Sequence, residues 1–161
     1  MENELKEALN LRQSGNHKES NEVLIKLIEK YPTNASINYQ CAWSFDLLGE
    51  EGKAVPYYVE AIRLGLPKGE LEGALLGLGS TYRTLGEYEK SKQVFQQGVV
   101  QFPNNRAMQV FYSMTLYNLN EHGKAMEILL KSLIETTTDH EILKYKRAIE
   151  FYSDKLDEVW K

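Results

Sequence analysis

The chain has 161 residues, 42% of them hydrophobic, and a formal net charge of −4 at pH 7. That length supports one domain with a substantial buried core, and that hydrophobic share excludes a disordered chain. The acidic balance, with Lys and Arg interspersed among Glu as on solvated helix faces, leaves no electrostatic footprint for nucleic acid.

Met1–Lys6 lacks the pattern of a signal peptide, and no apolar run approaches membrane-spanning length. The single cysteine, Cys41, allows no intramolecular disulfide, which suits a reducing compartment. A cytoplasmic location is the resulting expectation. The main organising signal is a glycine series, Gly15, Gly49 and Gly86, continued by Asn120, with steps of 34, 37 and 34 residues. A helix commonly ends on a residue in the left-handed conformation, which glycine adopts freely and asparagine tolerates next best. Each of these positions therefore predicts a turn between two antiparallel helices. The acids that follow, Glu50, Glu87 and Glu121, suit the positive end of a second helix.

The first unit, residues 1–34, carries Ala8, Leu11, Gly15, Ser20, Leu24, Leu27 and Pro32. Glu7 stands where an apolar residue is expected, so its first helix is the weakest. The second unit, 35–68, has Asn38, Cys41, Ala42, Phe45, Gly49, Ala54, Tyr58 and Ala61, with its proline, Pro67, one residue late. The extra residues of the long step fall around Leu64–Gly69, which reads as a loop. The third unit, 72–105, has Leu75, Leu78, Gly79, Tyr82, Gly86, Ser91, Phe95, Gly98 and Pro103. The fourth, 106–137, has Tyr112, Ser113, Leu116, Asn120, Ala125, Leu129 and Ser132, and no closing proline. Thr138 and Glu141 then have capping-box spacing, opening a last helix over about 139–160. Its apolar residues Ile142, Tyr145, Ile149, Tyr152, Leu156 and Val159 alternate steps of three and four, a seam suited to covering the end of a stack or to self-association.

The order large, two residues, Leu-Gly, two residues, Tyr, followed by small, three residues, Phe, and then Pro closely resembles the tetratricopeptide repeat. The third unit carries the nearest match. The resemblance implies an all-α chain, residues 1–161 as one domain: a right-handed α-α superhelix of about four helix–turn–helix repeats plus a C-terminal capping helix. It is similar to small stand-alone bacterial members of the family, which mostly serve as interaction scaffolds, some of them self-associating.

In that family the first helix of each repeat lines a concave groove. The phase places Tyr39, Trp43, Asp46 and Leu47 there from the second repeat, and Leu76, Ser80, Arg83 and Thr84 from the third. Val110, Met114, Tyr117 and Asn118 follow from the fourth, and Leu9, Arg12 and Gln13 from the first. An aromatic and apolar lining with a few polar points suits a peptide or an amphipathic helix, with Trp43, Tyr117 and Arg83 as its first anchors. Packing between repeats is the competing use of Trp43, and an ion pair to Asp46 or Glu87 that of Arg83. Some family co-chaperones clamp a C-terminal carboxylate with Lys, Asn and Arg on these faces. Here Leu5, Leu9, Gln40, Gly73 and Gly77 occupy those places, which argues against that ligand.

Catalytic chemistry finds no foothold. Gly77-Leu78-Gly79 lacks the strand a dinucleotide loop needs, and close helix packing accounts for both glycines. His17, His122 and His140 are dispersed, so no metal or cofactor site is expected. Cys41 falls at a core position and should be inert. The expected function is a non-catalytic protein-interaction module. The alternative is a homodimeric structural protein that uses its groove or C-terminal helix on itself.

Overall fold

The computed structural model describes residues 1–161 and contains only helices. Four antiparallel pairs follow one another: α1 (Glu2–Gln13) with α2 (His17–Lys30), α3 (Ala35–Leu47) with α4 (Glu51–Leu64), α5 (Lys68–Thr84) with α6 (Tyr88–Gln101), and α7 (Arg106–Asn118) with α8 (His122–Thr136). Two short helices, α9 (His140–Lys144) and α10 (Lys146–Tyr152), follow, and residues 153–161 form a non-helical tail. Each long helix packs against its neighbours in sequence, and α3, α5 and α7 also touch in series, as in a quasi-one-dimensional stack. No helix is long and apolar enough to cross a membrane.

The turns follow from backbone conformation. Gly15, Gly49 and Gly86 have φ of 82°, 70° and 77°, and Asn120 has φ of 61°. Space is open around each of these three glycines, so the left-handed backbone and not crowding selects glycine there. At the start of two of the pairs, Asn34 and Asn105 cap α3 and α7 by accepting from the Ile37 and Met108 amides at 2.9 and 2.8 Å.

Small residues bring helices together within and between the pairs. A Cβ on Gly79 would stand 2.7 Å from the Phe95 ring, and one on Gly98 2.8 Å from Met108 Sδ. Ser20 and Ser91, at the same repeat position, donate to the Ala8 and Gly79 carbonyls, each at 2.7 Å. The core runs through Leu24, Ile37, Cys41, Phe45, Tyr58 and Leu78 in the first half, and through Leu75, Phe95, Met108, Tyr112 and Leu116 in the second.

The extra residues of the long step do not make a longer loop. Helix α5 absorbs them at its start: it has 17 residues where α3 and α7 have 13. Residues 68–71, divided by sequence between a repeat end and a loop, are its first turn.

The expected helix over 139–160 is corrected. The chain forms α9 and α10, separated at Tyr145, and helix ends at Tyr152, so Leu156 and Val159 lie beyond it and share no seam with Ile142, Tyr145, Ile149 and Tyr152. The cap is Asp139, which accepts from the Ile142 amide at 3.0 Å, and not Thr138. Tyr145, Tyr152, Leu156 and Val159 are exposed, while Ile142 and Ile149 are half-buried. The segment also crosses a different face than an end cap would. Ile134 is buried, whereas Val100, its counterpart one repeat earlier, is 79% exposed. Residues 153–158 share a cleft with Gly123, Lys124 and Glu127. The tail thus lies along the outer side of α8 and leaves the end of the stack open.

The two ends differ. At the first, Asn3, Glu7 and Asn10 are exposed at positions that later repeats bury as Ile37, Cys41 and Ser44, or as Met108, Tyr112 and Thr115. At the last, Met126, Leu129 and Leu133 are exposed, although the residues at the Leu129 position in the earlier repeats, Leu24, Tyr58 and Phe95, are at most 2% exposed.

Candidate functional site

The structure gathers most of the residues expected to line a groove into two cavities. The central cavity, about 390 Å³, is walled by Tyr39, Trp43, Asp46 and Leu47 of α3 and by Leu76 and Ser80 of α5. Gly73 and Gly77 form its edge because tyrosine rings fill the space beside them. A Cβ at Gly73 would collide with the Tyr39 hydroxyl, and one at Gly77 with the Tyr58 hydroxyl at 2.5 Å.

Aromatic stacking fixes this wall. Tyr39 and Trp43 stack at 6.1 Å between centroids, and Tyr39 and Tyr58 tilt together at 6.3 Å. Trp43 is 42% exposed, so it does not serve as a buried residue between repeats. The Arg12 guanidinium lies 4.3 Å from the Trp43 ring centre and donates to Gln40, while its Nη1 is buried without an acceptor.

Asp46 forms the polar floor. Its carboxylate accepts from the Tyr58 hydroxyl at 2.7 Å and lies 3.0 Å from Thr81 Oγ1, whose single proton it shares with the Gly77 carbonyl at 2.7 Å. It takes part in none of the molecule's ion pairs. Burial raises its pKa above the ordinary aspartate value, with the two hydrogen bonds acting in the opposite direction. The Tyr58 hydroxyl is held strongly neutral by burial and by the adjacent Asp46.

Tyr58 belongs to this site although its place in the repeat is a core position. Both assignments hold for different atoms: the residue is 2% exposed overall, yet its hydroxyl reaches Asp46 at the groove floor. The available signal was a tyrosine at the position that carries Phe95 one repeat later.

The second cavity, about 460 Å³, joins Arg83, Met114, Tyr117 and Asn118 to Ser113, His122, Ala125, Met126 and Leu129. Arg83 pairs with neither Asp46 nor Glu87. Its Nη2 lies 3.8 Å from Met114 Sδ, and Glu87 pairs with Lys90 at 3.4 Å. Tyr117 packs on His122 with centroids 4.9 Å apart, and Asn118 Oδ1 is buried without a donor. Leu9, Gln13, Thr84 and Val110 lie outside both cavities, with Thr84 turned back to the Ser80 carbonyl at 3.1 Å. The contribution of α8 to this cavity has no signal in the sequence, where Ala125 and Leu129 match the repeat's packing positions and His122 falls just after the turn.

No group of three His, Cys, Asp or Glu side chains is gathered as a metal site. Burial pushes the Cys41 thiol up to about 12, so it is protonated and unreactive at neutral pH.

Comparisons place this geometry in a family. A family profile described as Tetratrico peptide repeat matches residues 35–156, and a second, described as Tetratricopeptide repeat, matches residues 2–34. A search of curated proteins gave no match. Among solved structures, residues 41 to the end of MamA from Desulfovibrio magneticus RS-1 superpose with a TM-score of 0.76 at 13% identity, over 97% of this chain and 86% of that one. Another MamA structure gives 0.74 at 19% identity, over 91% and 75%. YrrB, described as a TPR protein with an unusual peptide-binding site, gives 0.72 at 18% identity, over 88% and 71%. At these identities the likeness establishes the fold, an α-helical tetratricopeptide solenoid. Such repeats are in general scaffolds for protein interaction and not catalysts. The chain belongs to the tetratricopeptide-repeat family.

Proposed function

We propose that the protein is a non-catalytic interaction module that holds a peptide or an amphipathic helix in its concave groove. The observation that carries this reading is the central slot, in which Trp43 stands open to solvent beside Tyr39 and Leu76 above a polar floor. Binding energy in interfaces concentrates on such aromatic anchors. Tyr117, 64% exposed on the next cavity, extends the same surface. Affinity capture with the wild type and with a Trp43→Glu, Tyr117→Glu variant tests it. A partner held by the wild type and lost by a variant of unchanged melting temperature supports the groove. Equal capture by both would sink it.

A second reading is homodimerisation through the open end of the stack. It is favoured by the 37% exposure of Leu129 at a position otherwise closed, with Met126 and Leu133 exposed beside it. The polar first end offers no complementary surface, so the apolar end of a second copy is the matching partner, as two-fold symmetry requires. Light scattering at increasing concentration should give twice the chain mass for the wild type and a single mass for Leu129→Asp, Leu133→Asp. If Tyr152→Glu, Leu156→Glu dissociates the dimer instead, the tail is the interface and not the end face.

A further inference from the structure

We infer that the central slot receives a cationic side chain, lysine or arginine, from the bound peptide, with its charge on Asp46 and its alkyl stem among Tyr39, Trp43, Leu47 and Leu76. This rests on the groove being the binding surface, and it adds the chemistry of the partner.

Asp46 carries the argument. An ionised carboxylate offers about four acceptor sites. Here Tyr58 donates to it, Thr81 shares its one proton between it and the Gly77 carbonyl, and no lysine or arginine pairs with it. The other charges nearby leave it unbalanced. Glu51 adds to the negative field, and Arg12 directs its guanidinium to the Trp43 ring and to Gln40. A partly desolvated carboxylate without a counter-charge is costly, and a cation brought beside it interacts more strongly than in water.

The walls fit the same ligand. Arg12 already covers one face of the Trp43 ring at 4.3 Å, so the walls offer the ligand's alkyl stem apolar contact while its charge goes to Asp46. A slot of about 390 Å³ suits one long side chain and is too small for a whole helix. An acidic side chain would meet Asp46 as a like charge, so the slot also selects against acidic partners.

Random dodecapeptides displayed on phage can be selected against the full chain and against Asp46→Asn, which keeps an acceptor for Tyr58 and Thr81 while removing the charge. Peptides selected by the wild type should share one Lys or Arg position. A fluorescein-labelled synthetic copy should lose affinity roughly tenfold or more when that residue becomes norleucine, and the difference should vanish on Asp46→Asn. Selected peptides with no basic position, or equal affinity of the norleucine copy, overturn the cation slot and leave the groove standing. Failure to select any peptide whose binding depends on Trp43, judged with Trp43→Glu, overturns both. Should Asp46→Asn not fold, the lysine-to-norleucine comparison on the wild type decides alone.

Discussion

Phe95 and Leu129 hold the same place in the third and fourth repeats, yet one is fully buried and the other is 37% exposed. Both follow a small residue by four positions, Ser91 and Ala125, and both pairs of helices are similarly built. The difference lies in what comes next. Helix α7 closes over α6 and supplies Met108 and Tyr112 to the Phe95 cluster. Nothing closes over the matching face of α8, because the tail lies along its outer side. In a repeat array, identical sequence positions acquire their energetic weight from the following repeat.

The comparison breaks most readily at Phe95. Phe95→Ala should cost about 3–5 kcal/mol, because the cavity is sealed on both sides. Chemical denaturation measures it. Gly86→Val comes next, at about 1–2 kcal/mol, since φ of 77° strains a β-branched residue whatever the free space. An unchanged denaturation midpoint for both would refute the repeat phase. Leu129→Ala should cost below about 1 kcal/mol in the monomer, as solvent already reaches the side chain and little cavity forms. A loss as large as that of Phe95→Ala would show that the last face is covered after all.

The smallest effect concerns Asp46, and its sign follows from proton linkage. Its folded pKa is raised, so the folded chain holds the proton more tightly than the unfolded chain. That contribution is present below the ordinary aspartate range and is lost as pH rises through the folded value. Asp46→Asn removes the loss, so its melting temperature relative to the wild type should rise from acid to neutral pH. A relative fall over that window would mean that the ionised carboxylate is stabilising.

The sequence made the repeats legible because turns and close packing tolerate few residues. Gly15, Gly49, Gly86 and even Asn120 take the left-handed backbone that their spacing predicts. The inner phase was equally readable, since Gly79 opposite Phe95 and Gly98 opposite Met108 leave no room for a side chain. Three features escaped. The start of α5 resembles a loop in sequence because Gly65, Pro67 and Gly69 look like turn residues, although Pro67 sits just before the helix, where a missing amide proton costs nothing. The C-terminal helix was overextended because alternating apolar steps say nothing of where a helix stops. In the groove, sequence phase assembled Trp43, Asp46, Leu76 and Ser80 on one surface. It did not reveal that Tyr58 would reach through from α4, since a hydroxyl at the end of a core side chain has no periodic signature.

Glu7 gives the asymmetry of the ends a further meaning. It stands where Cys41, Leu78 and Tyr112 are buried in later repeats, with Asn3 and Asn10 flanking it. Were this face apolar, the open end of one copy could dock on the start of the next, and translation along the superhelix would never close. With a polar face there, association of the kind proposed through the last face would be confined to a pair and would not extend into a fibre.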